Sequence, residues 1–323
     1  MDYISEHSDN VSEVNVDITG GELFFRNDLE RMYERLVDIT IETKQRIKKP
    51  IRVLIGTNLL YENTDLLYHT LDYVFSRDET LLRGVFTSFD IVGRFNSKEK
   101  IELHHRNTLR LFDYLYSHKI PLAIVSVLSR EAMTHFMSPT TDLDNAFMDV
   151  YNKYYEFAKT VVEPENGHWW LRLSWTALSP NTMDTEYTTR MVPTVDEYVE
   201  FYKYLVNNYN TLAIIHSFYD NSRSLRCGNN CHVCKTDYVE KSCDSNIYGK
   251  DLLKDGNLHI HSNDPVEIYR YLVKKYGCLT CEYLIKCYIR PCPAVLNLKT
   301  VERGEGCWRK EIYEYVEHKG QNS

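Results

Sequence analysis

Nine cysteines lie between Cys227 and Cys307, and none precedes them. Their order is Cys227-x-x-x-Cys231-x-x-Cys234, then Cys243, then Cys278-x-x-Cys281-x5-Cys287-x4-Cys292, then Cys307. Thiolates at such spacings bind zinc, hold iron–sulfur clusters or pair as disulfides. Zinc ribbons pair two C-x-x-C knuckles roughly 12–20 residues apart, whereas 43 residues separate Cys234 from Cys278. Cys227, Cys231, Cys234 and Cys243 still form a candidate zinc set. A cubane cluster takes four thiolates, commonly three close in sequence and one remote. Cys278, Cys281 and Cys287 with Cys307 satisfy that pattern. The stretch Cys278–Cys292 is too dense in cysteine to build a core of useful size without a metal staple. On spacing, iron–sulfur leads, and zinc and disulfides stay as alternatives.

The 323 residues suit one large domain and one small one. A hydrophobic share of 43% and a charged share of 26% are ordinary for a globular chain. No apolar run approaches the roughly 18 residues of a membrane span, so no membrane partner is expected. The opening residues MDYISEHSDN are polar and acidic, without the pattern of a signal or transit peptide. A cytoplasmic, reducing location follows as the expectation, where cysteines bind metal or catalyse more often than they pair. The net charge of −8 falls on the part before Cys227. Neither part has a clear basic face, which argues against nucleic acid as a partner. Most of the 25 tyrosines are expected to pack at the edges of helices and strands.

The elements that must position these residues alternate along the front of the chain. Val14–Thr19, Ile51–Ile55, Leu81–Phe89, Pro121–Leu128, Trp169–Trp175 and Thr211–Ser217 read as strands. Asp28–Arg46, Leu66–Phe75, Glu99–His118, Leu143–Val162 and Val195–Asn207 read as helices, with apolar residues at helical spacing. Repeated β–α alternation predicts an α/β fold with a parallel sheet and crossover helices. Such sheets place ligands at the C-terminal ends of their strands. The loop positions there are Gly20-Gly21-Glu22, Thr57-Asn58, Ser88-Phe89-Asp90, Ser126 and Thr176, which suit a polar ligand and ordinary turns alike. From about Ser222 the pattern shifts to short elements among the cysteines. Leu252–Ile260 reads as a hairpin about Asp255-Gly256, and Pro265–Tyr276 as a short helix.

Both halves resemble one family, the radical S-adenosylmethionine (SAM) enzymes with a C-terminal SPASM domain. Ile18-Thr19-Gly20-Gly21-Glu22 resembles the glycine-glycine-glutamate motif on the second strand of that barrel. Glycines let backbone approach a ligand, and a carboxylate pairs with an ammonium. Ile55-Gly56-Thr57-Asn58 resembles the third-strand motif, and Thr87-Ser88-Phe89-Asp90 with Arg94 the fourth. At the back, Cys243, Gly256-x4-His261, the Cys278–Cys292 run and Cys307 resemble the SPASM pattern. Two departures stand out: His261 replaces a cysteine, and the last gap of the run is one residue longer.

The resemblance implies a partial (β/α) barrel over residues 1–222, missing its first strand, and a small SPASM-like α+β domain over 223–323. It implies S-adenosylmethionine at Gly20, Gly21, Glu22, Thr57, Asn58, Ser88, Asp90 and Arg94. It also implies [4Fe–4S] clusters, one on Cys278, Cys281, Cys287 and Cys307. A second would use Cys292, Cys243, another nearby cysteine and His261, or one of Cys227, Cys231 and Cys234 in the place of His261. The family's C-x-x-x-C-x-x-C cluster loop should precede Gly20, yet only 19 residues do so and none is cysteine. The expectation is therefore a chain inactive alone, its first strand and cluster loop supplied by a separate N-terminal fragment or by an upstream start that this sequence omits, with a peptide or protein substrate. A non-catalytic iron–sulfur protein and a zinc-stapled binding module are the alternatives.

Other candidates are weaker. His104-His105 on a predicted helix point about 100° apart and read as solvated surface. Asp142 and Asp144 read as helix-start residues. Trp169-Trp170 read as packing. Ser126 and Ser129 show no triad partners, and no P-loop or G-x-G-x-x-G is present.

Overall fold

β1 (Val14–Ile18), β2 (Ile51–Thr57), β3 (Leu82–Ser88), β4 (Leu122–Leu128) and β7 (Leu171–Ala177) form one five-stranded sheet in that spatial order. The pairs β1–β2, β2–β3 and β3–β4 are parallel. The computed structural model describes residues 13–18, 22–25, 27–163, 168–177, 191, 193–209, 277–283 and 308–321. Among these lie seven α-helices: α1 (Glu30–Ile47), α2 (Asp65–Arg77), α3 (Lys98–Ser117), α4 (Arg130–Met137), α5 (Asp142–Thr160), α6 (Val195–Asn208) and α7 (Trp308–Gln321). A two-residue antiparallel pair joins β5 (Val162–Glu163) to β6 (His168–Trp169). The α/β expectation is met. No helix among the described residues is long and apolar enough to cross a membrane.

The strands run in sequence order without reversal, so the described sheet is wound in one direction. Right-handed crossovers in such a sheet put all connecting helices on one face. Register agrees with this. Val53 and Ile55 of β2 meet Tyr33, Val37 and Thr40 of α1 and Thr70 and Val74 of α2 around a small apolar cavity. Val85 and Thr87 of β3 sit opposite Ile55 and Thr57 and share that face. The other face carries Leu54, Phe86, Ser88, Ala123 and Val125, each only half-buried. Gly56 lies under the Phe86 ring, where a Cβ would come within 2.5 Å of Cζ.

Contacts divide the chain into two units, residues 1–125 with 141–173 and residues 126–140 with 174–323. In the first unit, α3 buries Ile101, His104, Asn107, Thr108, Leu111, Phe112 and Leu115. Three of those seven are polar. In the second unit, Phe136 of α4 packs edge-on against Trp175 of β7 and Phe201 of α6. α7 docks on α6 through Lys203–Glu311 at 3.1 Å and through Lys319 Nζ, which donates to the Val206 carbonyl at 2.7 Å. Neither α4 nor α7 is evident from apolar periodicity: α4 has eight residues, and the clearly buried seam of α7 is Ile312 and Tyr313. The expected strand at Thr211–Ser217, the hairpin at Leu252–Ile260, the helix at Pro265–Tyr276 and the boundary at 222 lie outside the described residues.

Candidate functional site

Glu22, in the loop after β1, reaches across to the end of β2. Its Oε1 accepts from the Thr57 hydroxyl at 2.9 Å and from the Phe24 N–H at 3.1 Å. Its Oε2 accepts from the Asn58 N–H at 2.6 Å. An ionised carboxylate has about four acceptor positions, so three protein donors leave one. Thr57 Oγ1 also lies 2.9 Å from the Tyr61 hydroxyl, and burial first, then the Glu22 charge, push the Tyr61 phenol upward. Burial outweighs the opposing hydrogen bond with Thr57, which is itself a larger effect than the Glu22 charge, so Tyr61 is neutral.

The loop after β2 is held tightly. Asn58 Oδ1 accepts from the Leu60 N–H at 2.9 Å, an Asx turn. Leu59 follows with φ of 55° and a fully buried side chain. A leucine in the left-handed region is uncommon and persists only where its surroundings enforce it. Asn107 of α3 supplies that enforcement: its Nδ2 donates to the Leu59 carbonyl at 3.0 Å and to the Tyr61 carbonyl at 2.9 Å.

The end of β3 is fixed by rings. Phe89 is fully buried, stacked on Phe147 at 4.0 Å and on His104 at 4.9 Å. It therefore anchors Ser88 and Asp90 on either side. Arg94 Nε stands 3.7 Å from Asp90 Oδ2, a loose pair in which the arginine is 43% exposed. Below, His104 Nε2 lies 3.0 Å from the Thr87 hydroxyl and Nδ1 lies 3.1 Å from the Tyr154 hydroxyl. The expectation of a solvated His104 is corrected here. The ring is fully buried, and burial first, then the His105 and Arg94 charges, lower it to about 3. A neutral imidazole with two hydroxyl partners is satisfied in a core. His105 is half-buried, leans on Tyr154 at 5.1 Å, and is also lowered by burial.

Glu22, Thr57, Asn58, Ser88, Asp90 and Arg94 thus follow the C-terminal ends of three adjacent parallel strands. Gly20 and Gly21 lie outside the described residues. Tyr61, His104 and Asn107 are supporting residues that the sequence did not disclose. Ser126 is buried, on the same strand alternation as Leu122 and Ile124, away from Ser88. Asp144 accepts from the Thr141 N–H at 3.0 Å in a capping box that opens α5, and Asp142 is in its first turn, as expected. Trp170 is buried beside Tyr116, as packing predicts.

Of the metal candidates, Cys278 and Cys281 are described. Cys278 opens a 3-10 turn that Cys281 follows. Gly277, with φ of 60°, starts that turn, and the Thr280 N–H and hydroxyl both donate to its carbonyl, at 3.2 and 3.1 Å. Tyr283 stacks on Tyr313 of α7 at 5.1 Å and donates to Glu317 at 2.8 Å. Cys227, Cys231, Cys234, Cys243, His261, Cys287, Cys292 and Cys307 lie outside the described residues. A further cluster, Glu30, Glu34 and His69, has donor atoms within 4.8 Å of one another. No protein-family model matches the sequence, and no curated protein matches it.

Proposed function

We propose that this chain is a radical SAM/SPASM-like iron–sulfur protein, part of an enzyme that modifies a peptide or protein. The observation that carries the reading is the gathering of Glu22, Thr57, Asn58, Ser88, Asp90 and Arg94 at consecutive C-terminal strand ends of a sheet wound in one direction. Strand ends of this kind are where (β/α) folds bind ligands. The donor set suits an aminoacyl nucleoside. Glu22 has one acceptor position for an ammonium. Arg94 offers a fork for a carboxylate. Ser88 and Asp90 offer partners for ribose hydroxyls. When bound with a reduced cluster, the nucleoside would supply a 5′-deoxyadenosyl radical. The present sequence has no cysteine before Cys227; the thiolates for that cluster would come from another polypeptide or from a segment upstream of it.

The cysteine-rich end supports the same reading. The turn bearing Cys278 and Cys281 runs into Tyr283, which docks on α7, and α7 begins one residue after Cys307. Cys278, Cys281, Cys287 and Cys307 would hold one [4Fe–4S] cluster. Cys243, Cys292 and another nearby cysteine, with His261 or, in its place, one of Cys227, Cys231 and Cys234, would hold a second.

One observation favours a second reading, a non-catalytic relative with the same fold. Three protein donors already engage Glu22, so its carboxylate has a complete structural role without a ligand. Iron, sulfide and zinc per chain on anaerobically purified protein, with equilibrium dialysis of S-adenosylmethionine, test both. About eight iron and eight sulfide per chain match two [4Fe–4S] clusters, and about four of each match one. Clusters with nucleoside bound support the enzyme reading. Clusters without it support the non-catalytic one. Zinc without sulfide overturns both in favour of a zinc-stapled binding module.

A further inference from the structure

The seam between α1 and α2 carries two polar rungs, each built on residues four apart. In the second rung, Asp38 accepts from the Tyr73 hydroxyl at 3.1 Å and from Arg77 Nη2 at 3.1 Å. One carboxylate there meets one permanent cation. The first rung is different. Glu30 and Glu34 of α1 both face His69 of α2, with Oε1 atoms 3.2 and 3.0 Å from the same Nε2. These two carboxylates have no other ion pair among the described residues. Two negative groups therefore converge on one imidazole nitrogen.

Of the two approaches to Nε2, only that of Glu34 has hydrogen-bond geometry. Glu30 Oε1 stands 3.2 Å from the same nitrogen outside hydrogen-bond geometry. A metal ion resolves this, because it accepts lone pairs from all three groups at once. Bonds of about 2.0–2.2 Å to a four-coordinate ion put neighbouring donors about 3.3–3.6 Å apart, within a few tenths of an ångström of the 3.2 and 3.0 Å observed. The helices supply rigid backbones for the donors. His69 is 39% exposed and Glu30 54%, so the site opens to solvent and leaves a position for water.

We propose that Glu30, Glu34 and His69 bind a divalent first-row transition ion that clips α1 to α2. The mixed imidazole and carboxylate set suits zinc, iron or manganese over calcium or magnesium. The site is independent of the cysteines, which would compete for zinc. Manganese(II) is therefore the probe, followed by the loss of the free-ion paramagnetic resonance signal on titration into the full chain. The expected result is saturable binding of one ion, weakened by about tenfold or more in His69→Gln and in the Glu30→Gln/Glu34→Gln pair. Disturbing even an outer-shell partner of a metal commonly reaches that scale. Binding should also raise Tm in the parent chain and not in the variants. These exposed substitutions leave the core intact, and unchanged circular dichroism verifies it. The absence of saturable binding, or equal binding in all variants, overturns the proposal.

Discussion

His104 Nε2 lies 3.0 Å from the Thr87 hydroxyl, so an imidazole on α3 carries the last inward-facing polar group of β3. The same helix holds the loop after β2 through Asn107, one turn further along. Two adjacent strand ends that bear candidate ligand groups are thus hung on one buried face of α3. Rigid support of this kind keeps a binding constellation within its working geometry.

A pH dependence follows. Burial chiefly, with the His105 and Arg94 charges, holds His104 down at about 3 in the folded chain, against about 6.5 unfolded. Below pH 6.5 the unfolded chain takes up a proton that the folded chain refuses. The contribution of His104 is therefore full above pH 6.5 and is lost as pH falls toward 3, by about 1.4 kcal/mol per unit. Between pH 7 and 5.5, urea unfolding should show about 1 kcal/mol more loss in the parent than in His104→Gln. Equal slopes would mean that the ring is not buried neutral.

Asn107→Leu leaves the Leu59 and Tyr61 carbonyls without the donors they now use. Each orphaned buried acceptor costs about 1–3 kcal/mol, so about 2–6 kcal/mol of stability should disappear. Asn107→Asp keeps the size but removes the donors and should cost at least as much. A loss under about 0.5 kcal/mol, the scale of an ordinary surface change, would show that the β2 loop is not held from α3.

The sequence disclosed the strands and long helices because their periodicity is strong. Val53 and Ile55, or Ile101, Leu111 and Leu115, keep their apolar spacing in the structure. It also disclosed Glu22, Thr57, Asn58 and Ser88 as strand-end residues. It misread His104, because a polar pair on a helix looks like a wet face until Thr87 and Tyr154 are known to meet it. Asn107 gave no signal at all, since its partners are carbonyls 46 and 48 positions away. The Glu30–Glu34–His69 cluster was hidden for the same reason: half of it comes from a second helix. Long-range polar pairing leaves no local period to read.

Helix starts offer a simpler check. Thr141 and Asp144 form a reciprocal capping box at α5, and Thr194 and Glu197 form another at α6. Thr141→Ala and Thr194→Ala should each cost about 1 kcal/mol in denaturant unfolding. Glu197 has a second role. Burial raises its pKa, yet the Thr194 N–H and Arg130 outweigh that and hold it below the usual carboxylate range. Its contribution is present above the unfolded value and is lost as pH falls through the folded one. Glu197→Gln should therefore destabilise more at pH 7 than at pH 3, while Thr141→Ser should stay near the parent.

Glu22 decides between ligand site and structural staple. Glu22→Gln replaces one acceptor oxygen by an amide nitrogen, so one of the Phe24, Thr57 and Asn58 donors loses its partner. Thr57→Val removes only the hydroxyl and leaves the carboxylate in place. Both should lower stability, since hydrogen bonds to charged groups contribute about 1.5–3 kcal/mol. Their effects on S-adenosylmethionine affinity should separate. If the fourth acceptor position of Glu22 takes the ammonium, Glu22→Gln weakens binding by about tenfold or more, the equivalent of about 1.4 kcal/mol. Thr57→Val, with the charge retained, should change it by about threefold at most. Parallel losses in both variants would mean that the loop shape alone matters. Affinity unmoved by Glu22→Gln would remove the carboxylate from the ligand site and leave it as the tie between β1 and β2.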